Sequence, residues 1–107
     1  MLDEGDDTGV GGKGNDEIRG GEGKDDIEGN EGDDVIKGDD GDDDISGGAG
    51  NDELRGNKGN DEIEGGDGDD DIRGGDNSSG GGDVLRGGAG DDTITAGKNN
   101  MDTDISN

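Results

Sequence analysis

Large aliphatic side chains recur along this chain at a fixed interval, each standing alone between mostly polar neighbours. They are Ile18, Ile27, Ile36, Ile45, Leu54, Ile63 and Ile72, nine residues apart, followed by Leu85 and Ile94. A lone apolar residue between polar ones suits a short, half-buried strand, in which side chains alternate between two faces. The aliphatic residue then points inward and its two neighbours outward, as expected of Glu17 and Arg19 around Ile18. Between these positions lie segments rich in Gly, Asp and Asn, the residues of tight turns. The pattern predicts an all-β chain of short strands and turns, built by internal repetition.

Aligned on that interval, residues 11–95 divide into units of the form G-G-x-G-x-D-x-U-x, where U is the aliphatic residue. The first seven are GGKGNDEIR, GGEGKDDIE, GNEGDDVIK, GDDGDDDIS, GGAGNDELR, GNKGNDEIE and GGDGDDDIR. The eighth, GGDNSSGGGDVLR, carries four extra residues, read as a turn insertion at 76–79, and GGAGDDTIT closes the run. Residues 1–10 read as a degenerate half-coil that keeps Gly5 and Asp7 in phase, and 96–107 as a degenerate flank or cap. The sixth position is Asp throughout: Asp16, Asp25, Asp34, Asp43, Asp52, Asp61, Asp70, Asp83 and Asp92. Glycine at the first, second and fourth positions is expected to permit positive φ and let turn carbonyls converge.

Composition then decides what such turns are for. Hydrophobic residues make up 18% of the 107, none is aromatic, and the formal net charge is −24. Low hydrophobicity with high net charge is the signature of a chain that stays disordered without a partner. Two aliphatic side chains per pair of units bury far too little apolar surface to offset the entropy of ordering. The acidity argues against nucleic acid and for hard cations. With no His and no Cys, imidazole and thiolate sites are excluded. Carbonyls converging with carboxylates make an all-oxygen environment of the kind that suits Ca²⁺. No segment fits the EF-hand loop D-x-[DN]-x-[DN]-G-x₅-E, and no phosphate-loop spacing occurs. Carboxylate pairs are unavoidable at this density, and no aromatic is present to stack a sugar, so no catalytic role is expected. No apolar run approaches membrane-spanning length and residues 1–4 do not read as a signal peptide, so membrane insertion is not expected. Asn77-Ser78-Ser79 matches a glycosylation sequon, a single match of little weight.

The repeats resemble the RTX (repeats-in-toxin) nonapeptide family, the calcium-binding β-rolls of bacterial secreted toxins, lipases and metalloproteases. The resemblance covers residues 11–95. It implies a right-handed parallel β-roll, a β-solenoid with two short parallel sheets, each unit supplying a six-residue turn and a three-residue strand. Unit n would stack on unit n+2, 18 residues later. Each site would take the carbonyls of positions two and four with the Asp of unit n, and those of positions one and three with the Asp of unit n+2.

Carried over, Gly12, Gly14 and Asp16 would face Gly29, Glu31 and Asp34, and Gly21, Gly23 and Asp25 would face Gly38, Asp40 and Asp43. Asn30, Gly32 and Asp34 would face Gly47, Ala49 and Asp52, while Asp39, Gly41 and Asp43 would face Gly56, Lys58 and Asp61. Gly48, Gly50 and Asp52 would face Gly65, Asp67 and Asp70. Asn57, Gly59 and Asp61 would face Asp83, and Gly66, Gly68 and Asp70 would face Gly87, Ala89 and Asp92. Because most of these ligands are backbone, Asn30, Asp39 and Asn57 replace the second glycine without losing a carbonyl, at some strain in the turn. Each interior Asp would bridge two ions, and Asp7 with Asp25 would add a site, giving about six to eight Ca²⁺.

The resemblance further implies folding on cooperative calcium binding, a non-catalytic module accessory to a secreted protein, and an extracellular location. End-to-end self-association through open coil edges is a further expectation. A structural spacer or adhesin-type extension, or a designed calcium-responsive solenoid, stands as the alternative. The ice-binding version of such solenoids needs outward ranks of Thr and Asn, which position five (Asn15, Lys24, Asp33, Asp42, Asn51) does not form. Position nine alternates instead: Arg19, Lys37, Arg55 and Arg73 on one face, Glu28, Ser46 and Glu64 on the other before Arg86.

Overall fold

The computed structural model describes residues 3–76, 82–97 and 103–105, and everything below refers to those. Its strands in chain order are β1 (Thr8–Lys13), β2 (Glu17–Glu22), β3 (Asp26–Glu31), β4 (Val35–Asp40), β5 (Asp44–Ala49) and β6 (Glu53–Lys58). They continue as β7 (Glu62–Asp67), β8 (Asp71–Asp76), β9 (Val84–Ala89), β10 (Thr93–Thr95) and β11 (Thr103–Ile105). Among the described residues there is no helix, and so none long and apolar enough to cross a membrane.

Successive strands go to opposite sheets. One sheet has the order β1-β3-β5-β7-β9-β11 and the other β10-β8-β6-β4-β2, with every pairing parallel. The register is an 18-residue step, as in Ile18↔Ile36 and Ile27↔Ile45. This is the β-solenoid that the resemblance implies, with unit n stacked on unit n+2.

The strands are longer than expected, six residues rather than three. The ladder does not stop at x-U-x. It resumes at positions two and three of the next turn, where Gly21 pairs with Asp39 and Glu22 with Asp40. Stacked turns have the same shape, so their backbones stay within hydrogen-bonding distance around the corner as well as along the flat. Only positions four to six remain outside strands.

Between the sheets lies a single file of aliphatic residues. Ile27, Ile36, Ile45, Leu54, Ile63, Ile72 and Leu85 are fully buried, while Ile18 and Ile94 at the two ends are partly buried. The reason is the period itself, because one inward side chain per strand leaves two facing strands to fill one layer. Outside, cations stand in register as Arg19↔Lys37↔Arg55↔Arg73. Like charges stacked in this way repel, and same-strand acids offset them, at 2.8 Å for Arg55–Glu53 and 3.5 Å for Arg73–Asp71. The opposite face aligns Asp26↔Asp44↔Glu62 beside Glu28↔Ser46↔Glu64. Partial burial there, together with Glu62, Asp26, Glu64 and Glu28, raises the Asp44 carboxyl above its ordinary range.

Two boundaries move. Asp76 pairs with Lys58 inside β8, so the insertion read at 76–79 begins after Asp76, and Asn77 to Ser79 lie outside the described residues. The register across it is a 22-residue step, Glu62↔Val84 and Asp71↔Thr93, so four extra residues leave the stack unbroken. The flank 96–107 also contributes a strand, since β11 pairs with β9 through Asp104↔Leu85. The degenerate sequence there hid it, because no aliphatic residue stands at that register position.

This packing carries a prediction. Ile45→Ala removes a fully enclosed side chain from mid-stack, whereas Ile18→Ala trims a half-open end. In saturating calcium, Ile45→Ala is expected to cost roughly 2–5 kcal/mol of unfolding free energy and Ile18→Ala clearly less. Equal losses in denaturant titrations would contradict a file of buried residues closed at mid-stack and open at its ends.

Candidate metal centres

Each turn is shaped by residues that accept positive φ. At position two these include Gly21 (105°) and Gly48 (104°), and at position four Gly23 (118°) and Gly50 (119°). Asn30, Asp39 and Asn57 adopt φ of 80°, 76° and 78° at position two, a region that Asn and Asp tolerate better than other side chains. The expectation of positive φ at position one is not met, for no glycine of that position adopts it. Space, not φ, excludes a side chain there. A Cβ on Gly11 would stand 2.7 Å from Asp16 Oδ2 and 2.8 Å from the Gly29 carbonyl oxygen. Gly20, Gly29, Gly38, Gly47, Gly56 and Gly65 repeat that arrangement, each with the Asp of its own unit and the position-one carbonyl of unit n+2. Position one is thus a cradle lined by two oxygens.

The other carbonyls have definite directions. Those of positions two and four turn toward unit n+2, because a Cβ on Gly48 would meet the Asn30 carbonyl and one on Gly50 the Gly32 carbonyl. The position-three carbonyl of unit n+2 faces back and accepts an N–H: Gly23 donates to Asp40 at 2.9 Å and Gly32 to Ala49 at 3.0 Å. Its remaining lone pair is what a cation could use. Backbone oxygens of both units therefore border the space between stacked turns.

The position-six aspartates form the spine of each turn stack. Those of the interior coils are almost wholly enclosed, Asp34 and Asp70 at 1% exposure and Asp52 at 2%, while Asp7, Asp16 and Asp92 toward the ends are partly buried. One oxygen of each carboxylate is used, as Asp16 N–H donates to Asp34 Oδ1 at 2.8 Å and Asp34 N–H to Asp52 Oδ1 at 2.8 Å. Asp7 joins the series by donating to Asp25 Oδ1, and the bonds Asp61 to Asp83 and Asp70 to Asp92 carry it across the insertion. The second oxygen is orphaned. Oδ2 of Asp7, Asp16, Asp25, Asp34, Asp43, Asp52, Asp61, Asp70 and Asp92 is buried with no hydrogen-bond partner.

Orphaned anionic oxygens are costly in a protein interior. That cost shows in the acidities. Burial pushes the Asp43 and Asp70 carboxyls up to about 6 and Asp61 up to about 8, against the lowering effect of the N–H each accepts. Neighbouring aspartates add to the rise, Asp83 and Asp43 for Asp61. Among the described residues no three acidic side chains converge on one point. Carboxylates alone therefore make no site, and carbonyls must complete it. Two carboxylates with several carbonyls, all oxygen and neither thiolate nor imidazole, fit Ca²⁺. A bound divalent ion would supply the missing partner for Oδ2 and neutralise the spine.

Position five was not foreseen as part of this region. Its side chains extend the ladders, for Asp33 N–H donates to Asn15 Oδ1 at 2.8 Å and Asn51 N–H to Asp33 Oδ1 at 2.9 Å. A signal existed, since seven of the nine units carry Asn or Asp there.

Two predictions follow from the cradle and the spine. Gly47→Ala, harmless by φ alone, places a methyl on Asp52 Oδ2 and the Gly65 carbonyl, and should raise the calcium midpoint severalfold. An unchanged midpoint in a circular-dichroism titration would remove position one from the site. The raised carboxyls also set a pH dependence. A group whose folded pKa lies above its unfolded value near 3.8 favours the metal-free fold in acid and stops doing so as pH rises through about 6 to 8. In EDTA, strand content is expected to be higher at pH 4 than at pH 8. Equal strand content at pH 4 and pH 8 in calcium-free buffer, read by circular dichroism, would contradict it.

The RTX calcium-binding nonapeptide repeat matches the chain four times, at residues 3–36, 19–54, 47–79 and 77–100. No curated protein and no solved structure matches it. Repeat sequence, β-solenoid and oxygen-lined turns agree, and the chain belongs to the RTX calcium-binding nonapeptide repeat family.

Proposed function

We propose that this chain is a calcium-responsive folding module that is compact only with its turns loaded. The observation that carries the reading is the row of buried Oδ2 atoms without partners. Metal binding to the folded state alone couples binding to folding, because the ion's free energy becomes folding free energy. Each ion sits between turns n and n+2, held by the Asp of both and by backbone carbonyls. Interior aspartates are shared by consecutive sites, so a first ion organises the ligand of the next and binding is cooperative. The Asp pairs 16/34, 25/43, 34/52, 43/61, 52/70, 61/83 and 70/92, with Asp7/Asp25, accommodate about six to eight ions. Eight would bring the formal charge from −24 to −8 and remove most of the self-repulsion that opposes compaction.

The module is non-catalytic. Family membership supports an extracellular setting as an accessory to a secreted protein, since such repeats occur in proteins of type I secretion. A chain that folds only with calcium would stay unfolded where the ion is scarce and fold where it is abundant.

The test is spectroscopic. Far-ultraviolet circular dichroism should show no strand signal in EDTA at pH 7.5 and a β spectrum in millimolar Ca²⁺, with Mg²⁺ a poor substitute because it holds its waters. Native mass spectrometry should count about six to eight ions. A β spectrum that survives EDTA at neutral pH, or one or two ions per chain, would sink the reading. Within the stack, Asp52 borders two regular sites and Asp16 one, so Asp52→Ala should raise the calcium midpoint more than Asp16→Ala.

A further inference from the structure

The position-five side chains divide the two turn stacks into unequal halves. In one stack, Asn15, Asp33, Asn51, Asp69 and Asp91 form an unbroken series, in which each N–H donates to the Oδ1 of the turn below at 2.8–2.9 Å. The position-six bonds run in the opposite sense, each N–H donating to the Oδ1 of the turn above, as from Asp34 to Asp52. Stacked turns on this side are therefore clamped by two bonds of opposite direction on adjacent residues. In the folded roll that pair fixes the spacing of the coils next to the position-four carbonyl.

The other stack reads Asp6, Lys24, Asp42, Asn60 and Gly82 at the same position. Lys24 N–H donates to Asp6 Oδ1 at 2.9 Å and Asn60 N–H to Asp42 Oδ1 at 2.8 Å. Between them the series breaks, because a lysine side chain carries donors and no acceptor to offer the N–H of Asp42. Of the two clamping bonds, the turns of Asp25 and Asp43 keep the position-six bond, at 2.9 Å.

We infer that position five positions the calcium ligands, and that the Asp25–Asp43 turn pair, where Lys24 interrupts the ladder, fills after the turn pairs of the intact ladder. The inference rests on the reading that these turn pairs bind calcium. Where both bonds close as the turns fold around an ion, each adds to the free energy of uptake, whereas at Lys24 the turns close with one bond fewer. The lysine charge would also repel the ion, and the experiment separates that effect from the missing acceptor.

The full chain is titrated with Ca²⁺ as Lys24→Ala and Lys24→Asn, which remove the same charge while only Lys24→Asn restores an acceptor. Asn already stands at this position in three other units, so the variant suits the fold. The midpoint of Lys24→Asn is expected about two- to tenfold below that of Lys24→Ala, the worth of one hydrogen bond. In the intact ladder, Asp33→Ala should raise the midpoint by a similar factor over Asp33→Asn, which keeps the oxygen. Backbone-amide NMR of the unmodified chain should show Gly23, whose N–H donates to the Asp40 carbonyl of that pair, saturating after Gly32 and Gly50, and together with them in Lys24→Asn. Equal midpoints for Lys24→Ala and Lys24→Asn, or Gly23 saturating no later than Gly32, overturns the inference while the calcium reading stands. A chain that takes up no calcium overturns both.

Discussion

A buried carboxylate with one oxygen bonded and the other bare is the constraint on which everything in this roll depends. The Asp at position six gives Oδ1 to the N–H of the coil beneath it and turns Oδ2 into a dry gap. Stacking such residues every 18 positions piles negative charge along two lines inside the turns. The inward file of aliphatic residues is too thin to hold that arrangement against its own repulsion. Protons could neutralise it, as the raised carboxyls of Asp43, Asp61 and Asp70 indicate, but only in acid. At neutral pH a bound divalent cation would perform the same task and could also be held by carbonyls.

All the remaining features serve that gap. Position one is glycine because its Cβ would occupy the space beside Oδ2. Position four is glycine for two reasons at once, positive φ and the carbonyl of the coil below. Position two likewise combines positive φ with the carbonyl of the coil below, and Asn30, Asp39 and Asn57 are accepted there because Asn and Asp tolerate that φ. The strands carry no specificity beyond one inward aliphatic residue, and their outer faces are free to be basic or acidic.

The architecture is one-dimensional. Strand register, both Oδ1 ladders and the core all repeat with the same step, so each coil knows only its immediate neighbours. Extra residues can therefore be taken up in one turn without consequence elsewhere: the step becomes 22 for the pairs that span the insertion, and the bonds Asp61 to Asp83 and Asp70 to Asp92 persist. The same locality makes each break local, and a lysine at position five touches one gap in the stack.

Much of this could be read from the chain alone. One aliphatic residue per nine determined the short strands and the inward file, because a period-two strand leaves each side chain a single choice of face, while parallel direction and sheet alternation followed from the resemblance to RTX repeats. The invariant Asp and the absence of His and Cys determined the ligand chemistry, because only oxygen was on offer. Other features rest on distances between coils that one unit cannot contain. Six-residue strands, the role of position one, the clamp at position five, the pairing of Asp76 and the strand β11 in a flank without repeat all came from stacking. A repeat encodes the shape of one coil. What its atoms meet is decided only when the next coil, eighteen residues later, lies on top of it.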